Sequence, residues 1–140
     1  MKIFIICSKS FYNEIEPIKN KLEEMGHTVY LPNTYYEKDN ATSPEEEAWK
    51  NGKAAHAEFK AKMFKMSAER VSKMDAVLTL NFDKNGKKNY IGGATFLELY
   101  EAFRQGKKIF LYNEVPEGML YDEIFGFNPT VINGQLELIR

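Results

Sequence analysis

One cysteine, Cys7, and two histidines, His27 and His56, are the whole of this chain's soft metal-ligand and disulfide chemistry. A lone cysteine excludes an internal disulfide framework and any multi-cysteine zinc site. The two histidines lie far apart in the sequence and lack ligand spacing, so no metal is expected. Long apolar runs are also missing. The run near the start, Ile3–Cys7, is too short for a signal peptide or a membrane span. Neither sign of charge is in excess: 19 Lys and Arg stand against 20 Asp and Glu, a net charge of −1. That balance argues against a nucleic-acid polymer as partner. There is no G-x-G-x-x-G after the first apolar run and no Walker A lysine motif. Tight cradling of NAD or ATP is therefore not expected, and no cofactor is called for. No repeat, low-complexity tract or linker divides the 140 residues, a length typical of one domain. The expectation is a single reduced, cytoplasmic domain spanning residues 1–140, with no membrane partner.

What is present is a well-populated core: 44% hydrophobic residues and 14% aromatic ones, including 10 Phe and 8 Tyr. Ile3–Cys7 reads as a strand buried on both faces. Ile15, Ile18, Leu22 and Met25 then recur at helical spacing, with Pro17 tolerable only in the first turn and Gly26 as the stop. His27–Leu31 reads as a second strand, ended by Pro32. Ser43–Pro44–Glu45–Glu46 is a capping box with proline at the first helical position. It predicts one long helix reaching Lys73, with an apolar stripe of Trp49, Ala55, Phe59, Met63, Met66 and Val71. Gly52 inside that helix marks a kink or a close contact. Asp75–Leu80 is a third strand, Ala94–Arg104 a helix and Lys108–Tyr112 a fourth strand. A short helix near Gly118–Phe125 and a short strand near Val131–Ile132 complete the pattern. The alternation predicts an α/β fold with a parallel sheet covered by helices on both faces.

Such sheets bind ligands beyond the carboxyl ends of their strands. The rule selects Ser8–Tyr12, the stretch after Leu31, the segment Asn81–Gly93 and the stretch after Tyr112. In the third, Gly92 and Gly93 put backbone N–H groups at a helix N-terminus, which favours an anion or a sugar oxygen. Glu98 follows about a turn later inside Ala94–Leu99, an otherwise apolar stretch. A carboxyl desolvated there would have a raised pKa and suit covalent or acid–base work. The ordinary alternative is a Glu98 that faces water. Lys84, Lys87 and Lys88 read as a solvated turn or as a phosphate contact. The lysines between Lys50 and Lys65 read as a solvated helix face. Cys7 reads as a core residue. Phe4, Phe59, Phe96, Phe103 and Phe110 are expected in the core, and the remaining aromatics near strand ends, around the cleft or between subunits.

From Asp75 to Ile109 the chain resembles the nucleoside 2-deoxyribosyltransferase superfamily. The residues that carry the resemblance are Asp75–Leu78, Gly92–Leu99 with Thr95 and Glu98, Ala102, and Gly106–Ile109. The resemblance implies a flavodoxin-like or Rossmann-like three-layer sandwich around a five-stranded parallel sheet. It implies cleavage of a nucleoside or nucleoside monophosphate at the N-glycosidic bond, or deoxyribosyl transfer. On that pattern Glu98 is the nucleophile and Asp75 a supporting carboxylate. Ser8, Tyr12, Asn81, Gly92, Gly93 and Thr95 then contact the substrate. The resemblance also implies a homodimer or higher homo-oligomer. Two positions depart from the pattern. Gly92 stands where family transferases carry an aspartate that protonates the base, with Asp83 as a substitute only if its loop folds back. Tyr100 stands where the family favours glycine and is expected to crowd its helix face.

Three readings stay open. The chain cleaves an N-glycosidic bond; or it binds a nucleotide-like ligand on the same fold without turnover; or it is a structural accessory that uses its aromatic surface as an interface.

Overall fold

Lys2–Ile6 forms the first strand, β1, whose four apolar residues Ile3–Ile6 are fully buried because both faces of the strand are covered. The computed structural model describes residues 1–140. After β1 come α1 (Ile15–Glu24), β2 (Thr28–Tyr30), α2 (Pro44–Lys50), α3 (Lys53–Ser72) and β3 (Ala76–Thr79). The chain continues through α4 (Gly93–Arg104), β4 (Lys108–Leu111), α5 (Tyr121–Gly126) and β5 (Thr130–Val131). Short 3-10 turns occupy Lys9–Glu14, Tyr35–Glu37 and Leu136–Leu138.

The five strands form one all-parallel sheet in the order β2-β1-β3-β4-β5. That order is the flavodoxin-like doubly wound arrangement, with its switch point between β1 and β3. Alternate residues of each strand feed two cores. Ile3, Ile5 and Leu78 pack with Ile15, Ile18 and Leu22 of α1 and with Ile139 near the C-terminus. Phe4, Ile6 and Val77 pack with Val71 of α3, Leu99 and Ala102 of α4 and Ile124 of α5. No helix is long and apolar enough to cross a membrane.

The single long helix expected from Ser43 to Lys73 is two helices. Ser43 does cap α2, its hydroxyl accepting from the Glu46 N–H at 3.1 Å. The helix ends at Lys50 because Gly52 takes a φ of +101°, a backbone conformation that side chains strongly disfavour. α3 starts afresh from that residue. Of the expected apolar stripe only Val71 reaches the core. Trp49 is 52% exposed and stacks on His56, and within α3 only Ser67 and Val71 are buried. The upper half of α3 stands at the carboxyl edge of the sheet and walls a cleft. Phe103, expected in the core, is 49% exposed and leans on Phe127 from the outer face of α4. Tyr100 lies on that outer face too, 47% exposed, so it does not crowd the inner face that carries Glu98.

Candidate active site

A cleft of about 410 Å³ opens at the carboxyl ends of β1, β2 and β3, a volume suited to a small ligand. Its walls come from Cys7–Lys9 and Tyr12 after β1, Pro32–Thr34 after β2, and the start of α4. The far wall is α2 and α3. Of the four segments that the strand-end rule selects, the one after Tyr112 takes no part. Its residues Glu114–Leu120 line a separate hollow with Lys87–Ile91.

Glu98 reaches this cleft from the second turn of α4. Its Oε2 accepts a hydrogen bond from the Ser67 hydroxyl at 2.8 Å. Burial raises its pKa from 4.5 to about 7, although the Ser67 hydrogen bond and the fields of Arg70 and Lys60 pull the other way. Neither cation pairs with it directly. Arg70 donates to the Leu31 carbonyl at 2.6 Å and lies over the Phe4 ring, while Lys60 lies over Phe64. The carboxyl is therefore desolvated, touched by one neutral donor and poised near neutrality.

Around it, Ser8, Tyr12, Gly92, Gly93 and Thr95 all line the cleft, as the sequence reading expects. The Tyr12 hydroxyl shares a hydrogen bond with Thr34 at 3.0 Å, and burial pushes its pKa up to about 12, so it stays neutral. Ser8 Oγ accepts from Lys84 Nζ at 3.2 Å. Lys84 also lies 4.7 Å from the Tyr90 ring centre and pairs with no carboxylate. It is held there by a tight hairpin in which Lys84 and Lys87 bridge across Asn85 and Gly86, both at positive φ. At the rim, Lys9 and Glu45 form an ion pair of 2.9 Å, which lowers the pKa of Glu45. Cys7 faces the same cleft, but burial and the nearby Glu98 raise its thiol pKa far out of the reactive range.

Two of the residues expected at the site, Asp75 and Asn81, lie outside the cleft. Asp75 sits just before β3, at the amino edge of the sheet, and its carboxylate accepts the Lys2 N–H at 2.7 Å. That hydrogen bond lowers its pKa and ties β3 to β1, at the opposite end of the sheet from the cleft. Asn81 is fully buried but does not line the cleft. Its side chain donates to the carbonyls of Asn113 and Glu114 and accepts the Asn113 N–H, locking the loops after β3 and β4 together. Asp83 accepts the Asn89 N–H inside its own loop and does not replace the acid absent at Gly92. At Gly92 itself a Cβ would lie 3.0 Å from the Tyr90 hydroxyl, so that ring occupies the space a side chain would need.

The sequence reading did not single out Asn33, Glu45 or Ser67 as site residues, and it placed Phe59 in the core, Met63 on an apolar helix stripe and Lys60 on a solvated face. One signal was available. Met63, Ser67 and Val71 repeat every four residues on one face of α3, and a hydroxyl set in an apolar stripe needs a polar partner.

The five parallel strands, their order and a cleft at the switch point define a flavodoxin-like α/β protein. No family model matches the chain, and no curated protein does. Among solved structures the chain is similar to that of the Clostridium botulinum CMP N-glycosidase, BcmB. The TM-score is 0.57 at 18% sequence identity, over 99% of this chain and 98% of that one. The likeness is one of fold along the whole length, and that fold is the one the sequence resemblance implies.

Proposed function

We propose that this protein cleaves the N-glycosidic bond of a nucleoside or nucleoside monophosphate, with Glu98 as nucleophile. The observation that carries the proposal is a half-buried carboxyl, held by one neutral donor, within a ligand-sized cleft at the switch point. The fold shared with a CMP N-glycosidase supports the reaction class. In the first step a Glu98 oxygen bonds to the anomeric carbon as the carbon–nitrogen bond breaks, and the electron pair leaves on the base. The base takes a proton from solvent. Water then attacks the anomeric carbon, releases the sugar and restores the carboxyl. A second base in place of water gives transfer instead.

Several cleft groups fit the substrate. Tyr12 and Thr95 border the sugar, and Lys84 with the free N–H groups of Gly93 and Ala94 supplies positive potential for a 5′-phosphate. Glu45 is kept ionised by Lys9 and is no general acid at neutral pH. Without a carboxylic acid aimed at the base, the rate falls about 10²–10⁴-fold below that of an enzyme that has one. We further propose a homodimer or higher homo-oligomer, whose second copy covers the exposed apolar residues Leu97, Tyr100 and Phe103 of α4. Light scattering that shows a monomer would remove this point.

The test is incubation with a panel of nucleosides and their monophosphates, watching for free base. Release by the wild type and its loss in Glu98→Ala supports the reading; release unchanged by Glu98→Ala sinks it. The absent acid at Gly92 favours one alternative, a non-catalytic nucleotide binder. Thermal stabilisation by a nucleotide with no base released would select it, since a ligand at 100 times its dissociation constant adds about 2.7 kcal/mol.

A further inference from the structure

The hydrogen bond that reaches Glu98 is the end of a longer chain. Asn33 follows β2, and its Nδ2 lies 3.0 Å from Ser67 Oγ and 3.4 Å from the Met63 carbonyl oxygen. A carbonyl oxygen only accepts, so the nitrogen end of the Asn33 amide faces Met63 and Ser67. Ser67 Oγ then accepts from Asn33, which leaves its single hydrogen for Glu98 Oε2 at 2.8 Å. Donation runs one way, from β2 through α3 to α4. Only Oε2 is engaged, and Oε1 has no partner within the protein. Ser67 is 8% exposed, so it has little water to turn to.

We propose that Asn33 and Ser67 are positioning residues that hold Glu98 in one rotamer, favour its ionised form and turn Oε1 towards the anomeric carbon. The proposal rests on the reading of Glu98 as the reacting carboxylate. Neither residue touches the reacting atoms in this role; both act through Glu98. The chemistry explains why a hydroxyl is needed there. Burial opposes the charge on Glu98, and the two nearest cations are committed elsewhere: Arg70 to Leu31 and Phe4, Lys60 to the Phe64 ring. A directed neutral donor stabilises the carboxylate without pinning both oxygens, as a bidentate arginine would.

Other groups also face Glu98. Lys60 and Arg70 come from α3, and Cys7 and Tyr12 from the end of β1 and the turn that follows. Across the cleft stand Lys84 with Tyr90 and the Lys9–Glu45 pair. Cys7 and Tyr12 are both driven towards their neutral forms, so they leave the titration of Glu98 to stand alone near pH 7.

A hydrogen bond to a charged acceptor is worth about one pH unit or somewhat more in the acceptor's midpoint. The experiment titrates Glu98 by carbon-13 NMR of its labelled side-chain carboxyl, in wild type and in Ser67→Ala, Asn33→Ala and Ser67→Thr. It is paired with the pH profile of base release on whichever nucleoside or monophosphate responds. Ser67→Ala moves the Glu98 midpoint upward by about one pH unit. Asn33→Ala moves it the same way by less, and Ser67→Thr, which keeps the hydroxyl, returns it. The acid limb of kcat/KM moves in step, with kcat at pH 7 falling about fivefold and KM little changed. A Glu98 midpoint unmoved in folded Ser67→Ala and Asn33→Ala overturns the relay. A midpoint that shifts in a protein releasing no base from any substrate supports the relay and overturns the glycosidase reading instead.

Discussion

Replacing Glu98 by glutamine should make this protein more stable, and only above a certain pH. Glu98 has its pKa raised from 4.5 to about 7 by burial, so folding favours its protonated form. The sign follows from proton counting. Between these two values the folded chain binds more protons at this site than the unfolded chain, so stability is lost as pH rises. Below 4.5 the group is protonated in both states and contributes nothing. Above about 7 the full cost is in place, on the order of 3 kcal/mol. Glutamine is close to the protonated acid in shape and keeps an oxygen that accepts from Ser67. Urea unfolding of wild type and Glu98→Gln at pH 4.5, 6 and 8.5 measures the difference directly. The two should agree at the lowest pH, and the variant should lead by about 2–3 kcal/mol at the highest. Parallel pH profiles would refute the claim that this carboxyl is desolvated. A variant less stable at every pH would refute the isosteric argument.

Other outcomes follow from the same geometry. Lys84→Ala should raise KM at least about tenfold for a nucleoside monophosphate and leave the nucleoside unaffected, because it removes one charge-assisted contact to phosphate; steady-state kinetics on the matched pair decides it. Asp75→Asn should leave base release within about twofold of wild type, because Asp75 sits at the far edge of the sheet; a large loss would restore it to the site. Asn81→Ala should cost about 2–4 kcal/mol in urea unfolding, since it strands the backbone groups of Asn113 and Glu114 that this side chain satisfies. Raising pH from 6 to 8 should increase kcat/KM with a midpoint near 7, because the nucleophile must be ionised; a rate that falls over this range would make Glu98 a general acid.

The sheet was legible because its signals are local and strong. Ile3–Ile6 and Ala76–Leu80 are apolar runs with no helical alternative of adequate length, and the Lys84–Lys87 hairpin is written in Asn85–Gly86. The start of α2 was equally legible in Ser43–Pro44, while its end was not. Gly52 costs a helix interior only about 1 kcal/mol, too little to decide between a kink and a break. The site was half legible. Gly92, Gly93, Thr95 and Glu98 follow each other in one helix start, so spacing alone brings them together. Asn33, Glu45 and Ser67 come from β2's end, α2 and α3, and only the crossover geometry of the doubly wound sheet assembles them. Asp75 misled for a related reason. A strand has two ends some distance apart, and a family pattern places a residue in sequence without saying which edge its side chain serves. Asn81 lies at the correct edge but points between two loops and not into the cleft, a distinction that only its three hydrogen bonds reveal.

The central claim is that Glu98 attacks the anomeric carbon of a nucleoside or its monophosphate. Single-turnover base release at pH 8, with enzyme in excess, compares wild type with Glu98→Gln on the best substrate of the panel. The account predicts release by wild type and a loss of at least about 10³-fold in the variant, whose fold is intact and whose stability is higher. Equal release by the two proteins would contradict it.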